Sequence, residues 1–183
     1  MRFKETPLKG AYIIELEPHR DTRGTFVRLY SKDEFSGINQ SKEIVQINYS
    51  ITNQKGTIRG MHYQIPPSAE TKLIGCVNGK VFDVIVDIRK ESSTFLKWFA
   101  IELSKQGMTM IYIPEGFAHG FQTLENNSEL IYHHTAYYRP ENERTLRYDD
   151  KRINIAWPIH ITEISDKDLQ AKALDRDYIG IDL

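Results

Sequence analysis

The chain has 183 residues, enough for one domain with its own core, and its 24 basic and 25 acidic residues leave a net charge of −1. That balance excludes the positive excess of a general nucleic-acid binder, and a lone cysteine excludes an internal disulfide or a cysteine-rich zinc site. No apolar stretch approaches the ~20 residues of a membrane-spanning helix, and residues 1–7 lack the apolar core of a signal peptide, so a cytoplasmic protein is expected.

In chain order, short runs rich in Val, Ile, Tyr and Phe alternate with Gly, Pro, Asn and Asp. Strands are predicted over 11–16, 44–52, 57–62, 72–77, 80–88, 98–103, 108–113, 120–124 and 129–138. Ser31 could cap a short helix beginning at Lys32. Cys76 sits in the apolar run 73–77 and reads as a buried, inert thiol. Asn78-Gly79, between two apolar runs, predicts a hairpin, because both residues tolerate positive φ. Within 80–88, Phe82, Val84, Val86 and Ile88 share an apolar face, while Val81, Asp83, Ile85 and Asp87 share a mixed one. Ser165 and Asp168 have capping-box spacing at the start of a late helix. Regular strands with little helix, without repeat or linker, predict one mostly-β domain over 1–183, a jelly-roll β-barrel with short flanking helices.

The chemistry concentrates in Arg59-Gly60-Met61-His62-Tyr63-Gln64 and the later Lys72. A histidine between cations suits proton abstraction from an anionic substrate, with the cations holding phosphate or a developing oxyanion. An ordinary strand histidine bonded to backbone would look the same, and Arg59 and Lys72 read equally as solvated charges. His119, in Pro114-x-Gly116-x-x-His119, is aimed either into a barrel or into an aromatic core beside Phe117 and Phe121. On 129–138, alternation puts Leu130, Tyr132, His134, Ala136 and Tyr138 on one face, where Tyr132 is either a proton donor or a filler. Asp168 reads first as a helix N-terminal acid.

Metal-binding barrels of the cupin type are similar to one another in a His-x-His, a nearby Glu and a later Pro-x-Gly-x-x-His. Here Gln64 stands where the second histidine would be, and no Glu follows at short distance. His62 and His119 are too few for a metal site, and the neighbours His133 and His134 face opposite sides of a strand. No metal is expected. A glycine-rich phosphate loop is also missing, which argues against nicotinamide chemistry.

The order and content of these segments resemble the dTDP-4-dehydrorhamnose 3,5-epimerases. The resemblance runs through Asp21-Thr22-Arg23-Gly24-Thr25-Phe26, Val45-Gln46-Ile47-Asn48, 59–64, Lys72-Leu73, 79–90, Pro114 to Phe121, Tyr132, Tyr137-Tyr138-Arg139-Pro140, Glu143, 155–158 and 165–168. It implies a cupin-like jelly roll, a homodimer, no metal or organic cofactor, and a nucleotide-diphosphate keto sugar as substrate. It also implies that His62 is the base, polarised by Asp168, that Tyr132 is the acid and that Lys72 steadies an enolate oxygen. Arg23, Phe26, Gln46, Asn48, Arg59, His119, Tyr138, Glu143 and Lys167 would line the site. The product would pass to a reductase or transferase in the making of surface polysaccharide or a specialised sugar. The apolar run 11–16 is the candidate for pairing across subunits.

Four positions depart from the family pattern. Arg28 replaces an acid associated with the nucleotide end, Ile47 replaces another acid, His134 stands where small or unreactive residues are usual, and Tyr148 replaces a common tryptophan. Arg28 and His134 therefore join the candidate binding residues. They raise three alternatives: a 3- or 5-monoepimerase, a CDP- or GDP-linked substrate, and a sugar-binding cupin without chemistry. A related ketoisomerase is disfavoured by Gln64.

Overall fold

The computed structural model describes residues 1–38 and 42–183. Its main strands form two sheets. Numbered along the chain, the first sheet runs β1 (Arg2–Glu5), β2 (Tyr12–Glu15), β10 (Thr109–Ile113), β7 (Lys72–Asn78), β12 (Ser128–His134) and β5 (Gln46–Thr52). The second runs β13 (Glu143–Thr145), β6 (Thr57–Gln64), β11 (Phe117–Thr123), β8 (Lys80–Asp87) and β9 (Trp98–Ser104), with β14 (Glu163–Ile164) parallel to the start of β6. A separate hairpin joins β3 (His19–Asp21) to β4 (Gly24–Phe26). Two one-turn helices, α1 (Lys32–Phe35) and α2 (Asp166–Leu169), complete a mostly-β jelly roll.

The inner faces of the sheets meet in a core of Ile74, Cys76, Ile111 and Leu130 against Val81, Ile85, Leu103 and Phe121. Burial pushes the Cys76 thiol up to about 11, so it is inert at neutral pH, as its apolar run suggested. The apolar face of β8 points the other way. Val84 and Val86 pack with Met61, Tyr63 and Ala118 beneath Leu146, Ile153 and Ile155, so the chain after β12 covers the outside of the second sheet. The mixed face of β8 is thus the interior one, and Asp83 and Asp87 are fully buried. Asp87 is held below the usual carboxylate range: burial opposes this, but Arg89, Ser92 and Thr94 all donate to it. On the outside of the first sheet, Phe35 of α1 packs with Ile14, Leu73, Met110 and Tyr112.

Several expectations are corrected. Asn78-Gly79 is not a hairpin turn. It is a corner between sheets, because β7 is already paired with β10 and β12, and β8 with β9 and β11. Gly79 turns there with φ +69° against Ser128. The run 11–16 has no edge free for a second subunit, since β2 pairs with β1 and β10. Ser31 precedes α1 but makes no side-chain cap, whereas Ser165 Oγ does accept from the Asp168 amide at 3.2 Å. Beyond Leu169 the predicted late helix does not continue. The strand begun at 129 stops at His134, because side-chain amides take over the ladder: Gln64 donates to the Tyr137 carbonyl and accepts from Arg139, and Gln46 accepts from Tyr138.

One irregularity places the site. Between the pairs His119–His62 and Phe121–Arg59, β6 carries one more residue than β11. Without that bulge, Arg59 and His62, three residues apart, would face opposite sides. With it both line the interior cavity, while Met61 and Tyr63 pack outward. Gly60 permits it, with φ +120° and its backbone against β11: a Cβ there would sit 2.5 Å from the Gly120 Cα. Gly60→Ala is therefore expected to cost about 3 kcal/mol through strain and displacement of β11. Urea unfolding checks this, and a loss below about 0.5 kcal/mol would show that the contact is not tight.

Candidate active site

Between the sheets lies a cavity of about 850 Å³, ample for a nucleotide sugar. One wall belongs to the second sheet. His62 on β6 is about one-third exposed, and its Nε2 donates to Asp168 Oδ1 at 2.6 Å. That bond leaves Nδ1 as the nitrogen with a free lone pair. Asp168 is buried and held below its ordinary value: burial opposes this, but the hydrogen bond and charge of His62 and the Gly60 amide outweigh it. The helix-cap and histidine-partner readings of Asp168 are both correct, since its amide is capped by Ser165 while its carboxylate turns to His62.

His119, opposite His62 on β11, is buried and donates through Nε2 to Asp83 Oδ2 at 2.9 Å. It also packs against Phe121 and edge-on to Tyr132, so the aromatic-core and cavity readings again coincide. Arg59 is tied to Thr52 Oγ1 at 3.0 Å.

The facing wall comes from the first sheet. Tyr132 and His134 stand two residues apart on β12, their rings stacked at 6.1 Å, with Ser50 Oγ 3.3 Å from the Tyr132 hydroxyl. Burial drives the Tyr132 phenol well above its ordinary value, so it stays protonated. Lys72 is buried, not a solvated charge; its Nζ donates to the His62 carbonyl at 3.2 Å and pairs with Glu70 at 3.4 Å. Glu70 in turn accepts from His134 Nδ1 at 2.8 Å. Burial would raise the Glu70 carboxyl, but His134 and the Lys72 charge hold it below its usual value. At the rim, Glu143 accepts from the Tyr138 hydroxyl at 2.8 Å and pairs with Lys167 at 2.5 Å. Asn48 lines the cavity and Gln46, just behind, donates to it.

Not every candidate joins this group. Arg23 pairs with Asp21, Phe26 is 72 % exposed on the β3–β4 hairpin, and Arg28 pairs with Glu34, so within one chain none of them lines the cavity. Conversely, Glu70, Asp83, Ser50 and Thr52 escaped the sequence reading. Asp83 had a signal, an acid inside an apolar strand; Glu70, in a loop, had none. His133 does face away from His134, toward Leu73 O. Among the described residues no three His, Cys, Asp or Glu side chains converge as metal ligands; the imidazoles of His62, His119 and His134 each engage a separate carboxylate.

The arrangement matches known proteins over nearly its whole length. The family model described as dTDP-4-dehydrorhamnose 3,5-epimerase matches residues 5–176. The dTDP-4-dehydrorhamnose 3,5-epimerase of Shigella flexneri is 41 % identical over 97 % of this chain and 99 % of its own. The crystal structure of a dTDP-6-deoxy-D-glucose-3,5-epimerase from Legionella pneumophila, in complex with dTDP-4-keto-L-rhamnose, superposes with a TM-score of 0.92 at 34 % identity, covering 100 % of this chain and 98 % of that one. A 3'-monoepimerase from Streptomyces bikiniensis in complex with dTDP-quinovose gives 0.85 at 29 %, covering 92 % and 85 %. The chain belongs to the dTDP-4-dehydrorhamnose 3,5-epimerase family and is a carbohydrate epimerase with a cupin-like jelly-roll fold.

Proposed function

We propose that His62, Tyr132 and Lys72 carry the inversion of C3 and C5 in a dTDP-linked 4-keto-6-deoxyhexose. The observation that supports this most is the opposition of the His62–Asp168 pair on one sheet to Tyr132 on the other. A sugar ring between them offers one face to a base and the other to an acid. His62 Nδ1 takes the proton from the carbon next to the ketone. The C–H electron pair becomes the new C=C bond, and the carbonyl π pair moves onto the C4 oxygen. Lys72 meets the negative charge there, and Asp168 steadies the imidazolium. The Tyr132 phenol returns a proton from the other face. Water then reprotonates the phenolate and relieves the imidazolium. Arg59 suits the diphosphate, because its fork matches phosphate oxygens.

A homodimer goes with this reading. The edge strand β5 exposes Ile47, Tyr49 and Ile51 along one side, an apolar stripe that a second copy would cover, and the hairpin bearing Arg23 and Phe26 would then serve the partner's cavity. No helix among the described residues is long and apolar enough to cross a membrane. A cytoplasmic place follows from a nucleotide-sugar substrate.

Solvent-deuterium incorporation into dTDP-4-keto-6-deoxyglucose, followed by NMR, tests the chemistry. Label is expected at both C3 and C5, with His62→Ala slower by about a thousandfold. Tyr132→Phe should still exchange label while inversion falls, because the base survives without its opposing acid. Label at one carbon indicates a monoepimerase. No label with the dTDP sugar, but label with a CDP or GDP analogue, would overturn the nucleotide assignment.

Asp168 has a testable pH signature. A carboxylate whose folded pKa is lowered stabilises the fold above its unfolded value, and that gain disappears as pH falls through the folded one. Wild type should therefore exceed Asp168→Asn in thermal midpoint at neutral pH, and the gap should close below about pH 4. A gap that stays constant would mean that the pair adds no pH-linked stability. At neutral pH the same variant should lose about 100-fold or more in turnover, as expected when a histidine loses its orienting carboxylate.

A further inference from the structure

Lys72 has few competing partners for a buried ammonium. Of its three N–H donors, one meets the His62 carbonyl at 3.2 Å and another meets Glu70 Oε1 at 3.4 Å, a long contact for an ion pair. Glu70 does not close further, because its other oxygen, Oε2, accepts from His134 Nδ1 at 2.8 Å. On its far side the His134 ring meets the Asn48 amide nitrogen, 3.3 Å from Nε2, and Asn48 Oδ1 accepts from Gln46 at 3.0 Å. The roles are fixed throughout. An amide nitrogen only donates, so Nε2 accepts; a carboxylate only accepts, so Nδ1 carries the proton. All the groups from His134 to Lys72 are nearly buried, with side chains 8–10 % exposed. Stacking on Tyr132 holds the imidazole plane.

We propose that His134 and Glu70 are positioning residues for Lys72, holding it charge-compensated yet with one N–H free for the developing enolate oxygen. The proposal rests on the reading of Lys72 given above. Glu70 supplies the counter-charge that a buried ammonium needs. His134 restrains Glu70, so that the carboxylate does not capture the ammonium and compete with the enolate. The same hydrogen-bond chain runs to Asn48 at the cavity wall and to Gln46 behind it, tying the oxyanion cation to an amide that faces the substrate.

A double-mutant cycle on the intact protein, read by deuterium incorporation into dTDP-4-keto-6-deoxyglucose, tests this. His134→Ala and Glu70→Gln should each lower kcat about tenfold or more with KM within about twofold, since they act through a group that meets the transition state. His134→Asn, which can still donate to Glu70, should recover most of the loss. In a Lys72→Ala background, His134→Ala and Glu70→Gln should each change kcat by less than about twofold. Equal losses in both backgrounds, or a change in KM alone, overturn the proposal. Side-chain ¹⁵N NMR, with His134→Asn to assign the signal, gives a readout independent of turnover. Wild type should show neutral His134 protonated at Nδ1, and a proton on Nε2 would break the chain and overturn the proposal. Wild type with the Nδ1 signature but no deuterium incorporation would instead sink the substrate reading and support the relay, so the two failures are separate.

Discussion

The contact of backbone on backbone between Gly60 and Gly120 is the constraint from which the site follows. It admits an extra residue on β6, and that residue changes the parity of the strand. Arg59 and His62 then look into one cavity, Met61 and Tyr63 pack beneath the C-terminal segment, and the Gly60 amide is free to meet Asp168. A side chain at either glycine would separate β6 from β11 and dissolve the pairing of His62 with His119.

Around the cavity, imidazoles and carboxylates pair: His62 with Asp168, His119 with Asp83 and His134 with Glu70. Each carboxylate side chain is buried and meets its imidazole, although Asp83 does so through Oδ2 alone and its buried Oδ1 has no hydrogen-bond partner. The three differ in access. His62 keeps about a third of its side chain exposed to the cavity, whereas His119 and His134 are nearly enclosed. Access to the ring, more than any difference in partner, separates the imidazole we propose as the base from the other two.

Much of this was legible in the sequence. The longer strands followed from apolar periodicity, while the short β1, β3, β4, β13 and β14 carry too few residues to show it; Tyr132 and His134 shared a face as alternation required. Alternation failed where the backbone departs from it. It could not show that Arg59 and His62 share a face, because a bulge is set by the packing of two glycines distant in sequence. It overextended the strand past His134, because the ladder there gives way to the Gln46 and Gln64 side chains. Asn78-Gly79 has hairpin chemistry, yet what lies on either side of a turn is decided by which strands are already paired. Glu70 was invisible, since nothing in the sequence shows that β12 brings His134 to a loop acid.

The carboxylate of the His62 pair comes from the far end of the chain. Every strand of the two main sheets except β14 is present once synthesis has passed Thr145, and the barrel can then bury the core around Ile74 and Val81. Such a nascent chain holds the imidazole without Asp168, which lies 106 residues after His62 and arrives with α2. The proposed base is therefore completed only after the strands that hold it, when α2 brings Asp168 to His62.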